Sequence, residues 1–181
     1  MRVITGSARG RKLLALEGMD TRPTSDMVKE ALFSIVQFEV EGAVFLDLFA
    51  GTGQIGIEAL SRGAHSVCFV VSSREAQRVI LKNIETTGFK AKSKVSAADS
   101  MTFIKSCSEK FDIAFLDPPY NKGIVPEILP FVSEKMAPGG IIICETEKTE
   151  QLPDEVGCFA KLKEYRYGKI KLTSYRSKEA F

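Results

Sequence analysis

The residues best suited to carry chemistry in this chain are Asp117-Pro118-Pro119-Tyr120, which close the apolar run Ile113-Ala114-Phe115-Leu116. A carboxylate, two prolines and an aromatic ring at the C-terminal end of a strand make a mouth for a flat ring that bears an amine. Such an amine is a poor nucleophile, because its lone pair is delocalised into the ring. Asp117 and the carbonyl of Pro118 can accept its two N–H bonds and turn the lone pair toward an electrophile, leaving the carboxylate to take or relay the proton. Pro118 and Pro119 fix φ and stiffen the loop in advance. Tyr120 offers a stacking surface, worth ~1–3 kcal/mol per base in nucleic-acid sites, and a base so held has to be flipped out or lie in a loop. Taken alone, the tetrad is also readable as a proline turn with Asp117 as a cap.

The context is a second signal upstream, Phe45-Leu46-Asp47-Leu48-Phe49-Ala50-Gly51-Thr52-Gly53, a strand running into a glycine turn. In open α/β sheets, ligands bind beyond the C-terminal ends of the strands, where the strand order reverses. Gly51 and Gly53 let the backbone approach a ligand, with Phe49, Ala50 and Thr52 in the same turn, and Asp47 can accept from an ammonium group. The tail of S-adenosylmethionine carries such a group. A carboxylate is expected about 20 residues on, at the end of the next strand, to hold ribose hydroxyls. The chain instead reads Phe69-Val70-Val71-Ser72-Ser73. Ser72 or Ser73 supplies a neutral hydrogen bond in its place, weaker than a charged one. Asp99, after a third strand, is placed either for an adenine amine or as a helix cap.

The elements that must position these residues alternate strand and helix. Strands are expected over 44–48, 66–71, 94–97, 112–116 and 141–144, with helices over 54–62, 74–87 (closed by Gly88), 101–107 and 123–136, the last ending before Pro138-Gly139-Gly140. Near-continuous apolar strands with helical crossovers mean a mostly parallel sheet covered on both faces, a Rossmann-like α/β fold. Residues 159–167 and 169–175 alternate around Gly168 as an antiparallel C-terminal hairpin. Ahead of the core at 43–181 lies an N-terminal extension, 1–42, the two together forming one domain. In the extension, Arg2–Thr5 and Lys12–Leu16 pattern as a hairpin. Pro23 disfavours helix at Arg22, and Thr24 or Ser25 can cap a helix whose apolar face is Met27, Val28, Ala31, Leu32, Ile35 and Val36.

The chain has 181 residues, 44% hydrophobic and 27% charged, an ordinary globular balance that affords one sizeable core. No apolar run has membrane-spanning length, and the N-terminus lacks a signal-peptide core. A cytoplasmic monomer with no membrane partner is expected. The four cysteines form no CxxC pair and read as reduced, buried thiols, and the sole histidine, His65, reads as a loop residue, so no metal is expected. Net charge is +2, but both ends are basic. Arg2, Arg9, Arg11 and Lys12 crowd the N-terminus, and Lys161, Lys163, Arg166, Lys169, Lys171, Arg176 and Lys178 the C-terminal hairpin. These are solvated faces, or a phosphate-binding rim if the fold brings them to the mouth.

Taken together, these segments resemble the bacterial small-subunit ribosomal RNA guanine-N2 methyltransferases over nearly the whole chain. The resemblance rests on Arg9-Gly10-Arg11-Lys12-Leu13, Arg22-Pro23-Thr24, Val28-Lys29-Glu30-Ala31-Leu32-Phe33, Leu46–Gly53, Gly56-Ile57-Glu58-Ala59-Leu60-Ser61-Arg62-Gly63-Ala64 and Phe115–Tyr120. It implies a seven-stranded class I methyltransferase fold, S-adenosylmethionine as methyl donor, and a hairpin-loop guanine of 16S ribosomal RNA in an assembled or assembling small subunit as target. By position it places Asp47, Phe49, Gly51, Gly53 and Asp99 at the cofactor, Asp117–Tyr120 at the chemistry, and Arg9, Arg11, Lys12 and Arg22 on RNA, with Thr24 beside them. The family usually has glutamate where this chain has Val71, and often aspartate where it has Ser73. The alternatives are a ribosome-binding or assembly protein whose cofactor site has decayed, and an adenine-N6 or DNA methyltransferase, since the tetrad alone does not discriminate.

Overall fold

The computed structural model describes residues 1–16, 25–120 and 122–178. Within them an eight-stranded sheet runs in the order β3-β2-β1-β4-β5-β8-β7-β6. Its parallel half is β1 (Val44–Asp47), β2 (Ser66–Val71), β3 (Ser93–Ala97), β4 (Phe111–Leu116) and β5 (Met136–Glu147), and the antiparallel half is β6 (Glu155–Val156), β7 (Phe159–Tyr167) and β8 (Ile170–Ser177). The crossovers are α2 (Gln54–Ser61), α3 (Arg74–Thr87), α4 (Ser100–Ser106) and α5 (Ile124–Ser133), with α1 (Asp26–Ile35) ahead of β1. The two-residue β6 is an eighth strand beyond the seven expected.

The helices start and stop where side-chain chemistry dictates. Ser25 caps α1 by accepting from the Val28 amide, and Gly88 ends α3 with φ +78°, a left-handed conformation glycine adopts without strain. Arg22 and Thr24 lie outside the described residues. Two expectations are corrected. The helix expected to reach 136 stops at Ser133, and β5 begins at Met136 and runs to Glu147 rather than spanning 141–144. Pro138-Gly139-Gly140 is a bulge inside the strand's start, because Phe111 pairs with Met136 and Ile113 with Ile141. At the other end, β8 pairs with every residue from Ile141 to Glu147 and carries the strand past its apolar run. The N-terminal hairpin reduces to one antiparallel bridge, Arg2 with Lys12.

Each face of the sheet carries its own apolar cluster. Val3 and Leu13, Leu32 and Phe33 of α1, Ile55 and Ile57 of α2, and Ile80 of α3 pack on one face against Phe45, Phe69 and Phe115. Ile104 of α4 and Ile128 and Leu129 of α5 pack on the other against Leu46, Leu116 and Ile142. All four cysteines are free, but only Cys68 and Cys144 are buried; Cys107 is half-buried and Cys158 is exposed, contrary to the buried set expected. No helix among the described residues is long and apolar enough to cross a membrane.

The N-terminal segment is fastened by a buried charge. Glu58, on α2, is fully buried; its Oε2 accepts from the Ile4 amide at 2.8 Å and its Oε1 from the Thr5 amide at 2.9 Å and Arg62 Nε at 3.0 Å. Lys29 of α1, also fully buried, lies 3.8 Å from Glu58 Oε2 and donates to the Arg2 carbonyl at 2.8 Å. Burial lowers the Lys29 pKa, and Glu58 opposes that shift. The residues that carried the resemblance in α1 and α2 are therefore one ionic clasp. Replacing Glu58 with alanine leaves Lys29 buried without its carboxylate and two amides without acceptors. Denaturant unfolding should show a loss of about 3–5 kcal/mol, with faster proteolysis of residues 1–16; a loss below about 1 kcal/mol would show the clasp to be dispensable.

Candidate active site

From β1 the chain moves outward through β2 and β3, then returns to lay β4 and β5 on the other side of β1. The C-terminal ends of β1 and β4 therefore form the crevice where the strand order reverses. Asp47 pairs with Phe115, and Leu116 pairs with Cys144. Asp117 and Glu145 each follow that last pair by one residue, so they stand side by side on adjacent strand ends, about 4.8 Å apart in backbone spacing. Alternation along the strands puts Asp47, Asp117 and Glu145 on the same face as Phe45, Phe115 and Ile143. The sequence reading overlooked Glu145. Its signal was present, an acid directly after the apolar run Ile141–Cys144, in the position Asp117 holds after Ile113–Leu116.

Asp47 is 1% exposed and lies beneath the glycine turn, its Oδ2 accepting from the Gly56 amide at 3.0 Å. Burial pushes its pKa up from 3.8 to about 7, against the pull of the Gly56 amide. In the turn above, Gly51 and Gly53 hold φ +53° and +78°, Gly51 is exposed, Phe49 and Thr52 are half-buried and Ala50 is buried. Gly56 completes the spacing with a different task, also missed in the sequence. A Cβ there would lie 2.3 Å from Phe69 Cε1, so α2 can sit this close to β2 only with glycine.

Asp117 is half-buried, Pro118 buried, Pro119 exposed and Tyr120 half-buried. The Asp117 pKa is raised well above the ordinary carboxylate range, first by burial and then by the Glu145 and Asp47 carboxyls. Tyr120 donates its hydroxyl to Glu145 Oε1 at 2.8 Å, so the ring is tethered to the end of β5. Burial raises the Glu145 pKa, and the Tyr120 hydrogen bond opposes the rise.

The neighbouring positions divide. Ser73 caps α3, accepting from the Ala76 amide at 3.3 Å, which leaves Ser72 as the exposed hydroxyl at the end of β2. Val71 is 6% exposed and belongs to the apolar cluster under α3. Asp99 caps α4 through Oδ1, accepting from the Thr102 amide at 3.0 Å. Arg9, Arg11 and Lys12 are exposed. The loop bearing Arg9 is anchored on Ser61, which takes the Ser7 amide on its carbonyl and the Ala8 amide on its hydroxyl, at the end of α2 remote from the glycine turn. Leu14, two residues past Lys12, is tied through Asn83 to Thr52 of the glycine turn, but an eight-residue helix is ~12 Å long, so the Arg9 loop is set back from the mouth. The C-terminal hairpin is not: Glu147 pairs with Ile170 and Lys148 donates to the Lys169 carbonyl, which brings the tip beside the end of β5. Part of its charge is spent internally, Lys171 and Arg166 on Glu164, Lys161 on Asp154, Arg176 on Glu39 and Lys178 on Glu155. Lys163 and Lys169 are exposed, as is the paired Arg166.

The family described as "Conserved hypothetical protein 95" matches residues 1–176. The chain belongs to it. Among relatives, Ribosomal RNA small subunit methyltransferase D of Haemophilus influenzae is 35% identical, covering 84% of this chain and 81% of the relative. Bacillus subtilis YlbH is 34% identical over 98% of this chain and all of the relative. The solved structure of Escherichia coli yhhF superposes with a TM-score of 0.89 at 30% identity, covering 99% of this chain and 98% of that one. The N-terminal segment and α1 thus lie inside the family's matched region.

The buried Asp47 sets a pH dependence. Its folded-state pKa lies above its unfolded value, so its contribution to stability is present below pH about 4 and is lost as the pH rises through about 7. Asp47→Asn keeps an oxygen for the Gly56 amide without the buried charge. It should therefore be more stable than wild type at pH 8, by on the order of a few kcal/mol, with the gap closing toward pH 4. Thermal melts across that range that run parallel for the two proteins would contradict the assignment.

Proposed function

We propose that this protein transfers a methyl group from S-adenosylmethionine to the exocyclic N2 of a guanine in 16S ribosomal RNA, on an assembled or assembling small subunit. The observation that carries the reading is the register placing the glycine turn of β1 and the carboxyl of Asp117 on adjacent strand ends at the switch point. The name of the Haemophilus relative, which specifies small-subunit ribosomal RNA, supports the substrate class.

The residues present fit that cofactor. Three carboxyls, Asp47, Asp117 and Glu145, share a poorly solvated mouth and repel one another; a ligand with an ammonium and a sulfonium relieves that repulsion. When bound, it supplies an electrophilic methyl group. Asp47 contributes charge from beneath the turn, Phe49, Gly51 and Thr52 form the rim, Ser72 offers its hydroxyl to the ribose, and Asp99, through the carboxylate oxygen that does not cap α4, meets the adenine amine. Asp117 and the Pro118 carbonyl accept from the base amine. With its pKa raised, Asp117 also takes the proton the amine gives up. Tyr120, tethered through Glu145, presents its ring to the flipped base. Lys163, Arg166 and Lys169 hold phosphates on the hairpin side of the mouth, while Arg9, Arg11 and Lys12 contact RNA along the N-terminal segment.

The test is transfer of labelled methyl to undermethylated small subunits, with free ribosomal RNA and duplex DNA alongside. Label is expected on guanine N2 of the subunit, with Asp117→Ala slowing transfer at least about 100-fold. Label on adenine or on duplex DNA would replace this reading. Subunit binding without label would point instead to a binding protein, the outcome that Val71 at the ribose position favours. Ser72→Ala should weaken cofactor binding about 2- to 10-fold, as loss of one neutral hydrogen bond does, measured by calorimetry; unchanged affinity would move the ribose contact elsewhere.

A further inference from the structure

We infer that Glu145 reads the Watson–Crick edge of the target base and selects guanine by accepting its N1–H. The inference rests on the guanine-N2 reading and supplies what the Asp-Pro-Pro-Tyr tetrad lacks. Asp117 and the Pro118 carbonyl can hold any exocyclic amine, whether adenine N6, cytosine N4 or guanine N2, so selection needs another group in the mouth.

Glu145 is placed to be that group. It is 3% exposed and stands beside Asp117 on the next strand end. Its Oε1 accepts from the Tyr120 hydroxyl at 2.8 Å, and its Oε2 is buried with no hydrogen-bond partner among the described residues. A buried acceptor left without a donor is costly, and is retained where a ligand supplies the donor. Two other buried oxygens share that condition, Thr146 Oγ1 and Thr173 Oγ1, but strand alternation puts them with Cys144 on the opposite face of the sheet. The Tyr120 hydroxyl occupies Oε1 and opposes the rise that burial gives the Glu145 pKa, which leaves Oε2 as the acceptor for a donor from the base. Guanine sets N1–H directly beside its N2 amine, two donors facing two neighbouring carboxyls. Adenine sets a lone pair at N1, which leaves Oε2 without a donor.

The probe is 2-aminopurine, which keeps the amine at C2 and replaces N1–H with a lone pair. The guanine labelled in the transfer assay is replaced by 2-aminopurine in the ribosomal RNA, and subunits carrying each base are compared. Wild type should prefer guanine by about 10- to 100-fold. In Glu145→Gln the Tyr120 hydroxyl holds the amide oxygen and leaves Nε2–H toward the base. Transfer to guanine should fall, transfer to 2-aminopurine should hold or rise, and the preference should shrink at least tenfold. A merely structural role would lower both rates together and leave their ratio unchanged, which would overturn the inference. Equal rates on the two bases with wild type would overturn it even if the variant failed to fold. No wild-type transfer to guanine at all would instead remove the parent reading, and this inference with it.

Discussion

Three carboxyls on one face, at the ends of three adjacent strands, are the constraint around which this molecule is arranged. Asp47, Asp117 and Glu145 are brought together by strand register, and burial and mutual repulsion raise the pKa of Asp117 well above that of an exposed acid. A core built only for stability would not gather like charges at its switch point. The surroundings limit the cost without removing it: the Gly56 amide is aimed at Asp47 and the Tyr120 hydroxyl at Glu145. What remains is a mouth whose carboxyls are pushed toward their neutral forms, a shift that a cation reverses, and the proposed methyl donor brings two positive centres.

The frame holding that mouth includes the N-terminal segment. Besides the Glu58 clasp, Asn83 of α3 accepts from the Leu14 amide at 2.7 Å and donates to the carbonyls of Leu14 at 3.1 Å and Thr52 at 3.0 Å. One fully buried amide side chain thus ties the strand-like stretch around Leu14 to the glycine turn. Gly6 shows how tight the docking is, since a Cβ there would lie 1.8 Å from the Ser61 carbonyl oxygen. Residues 1–16 accordingly form a wall of the structure rather than a loose basic arm. Their arginines are held at fixed positions relative to the turn.

Much of the fold was legible because buried parallel strands leave an unambiguous mark. Phe45–Leu48, broken only by Asp47, and the continuous Val67–Val71 and Ile113–Leu116 are apolar runs, and the glycines and serines between them fix where helices begin. The misses share one cause, in that each depends on a partner remote in sequence. Pro138-Gly139-Gly140 reads locally as a helix stop and a loop, and only pairing with β4 makes it a bulge. Glu145 looks like the first polar residue past a strand until β8 extends that strand beyond it. Glu58 and Lys29 look like the solvated faces of two helices, and neither helix reveals that the other, together with Ile4 and Thr5, will bury it. The basic hairpin stayed open between a solvated face and a phosphate-binding rim for the same reason. Its count of lysines and arginines was correct, but Asp154, Glu164, Glu39 and Glu155 pair with five of them.

Charge is also segregated by depth, which bears on how a polyanion could be handled. Exposed cations stand around the mouth, Arg74 after β2, Lys122 two residues past Tyr120, Lys148 after β5 and Lys169 at the hairpin tip, outside the ring of acids. Phosphates entering the mouth would meet Asp117 and Glu145 and be repelled, while phosphates at the rim would meet ammonium and guanidinium groups. A flipped base is the one part of a nucleotide that can pass inward, because its edge offers N–H donors to carboxyl acceptors. A net charge of +2 therefore understates the polarity of the molecule. The acids are concentrated at the switch point, where the proposed reaction would bring a nucleobase and a cationic donor together, and exposed cations stand outside them.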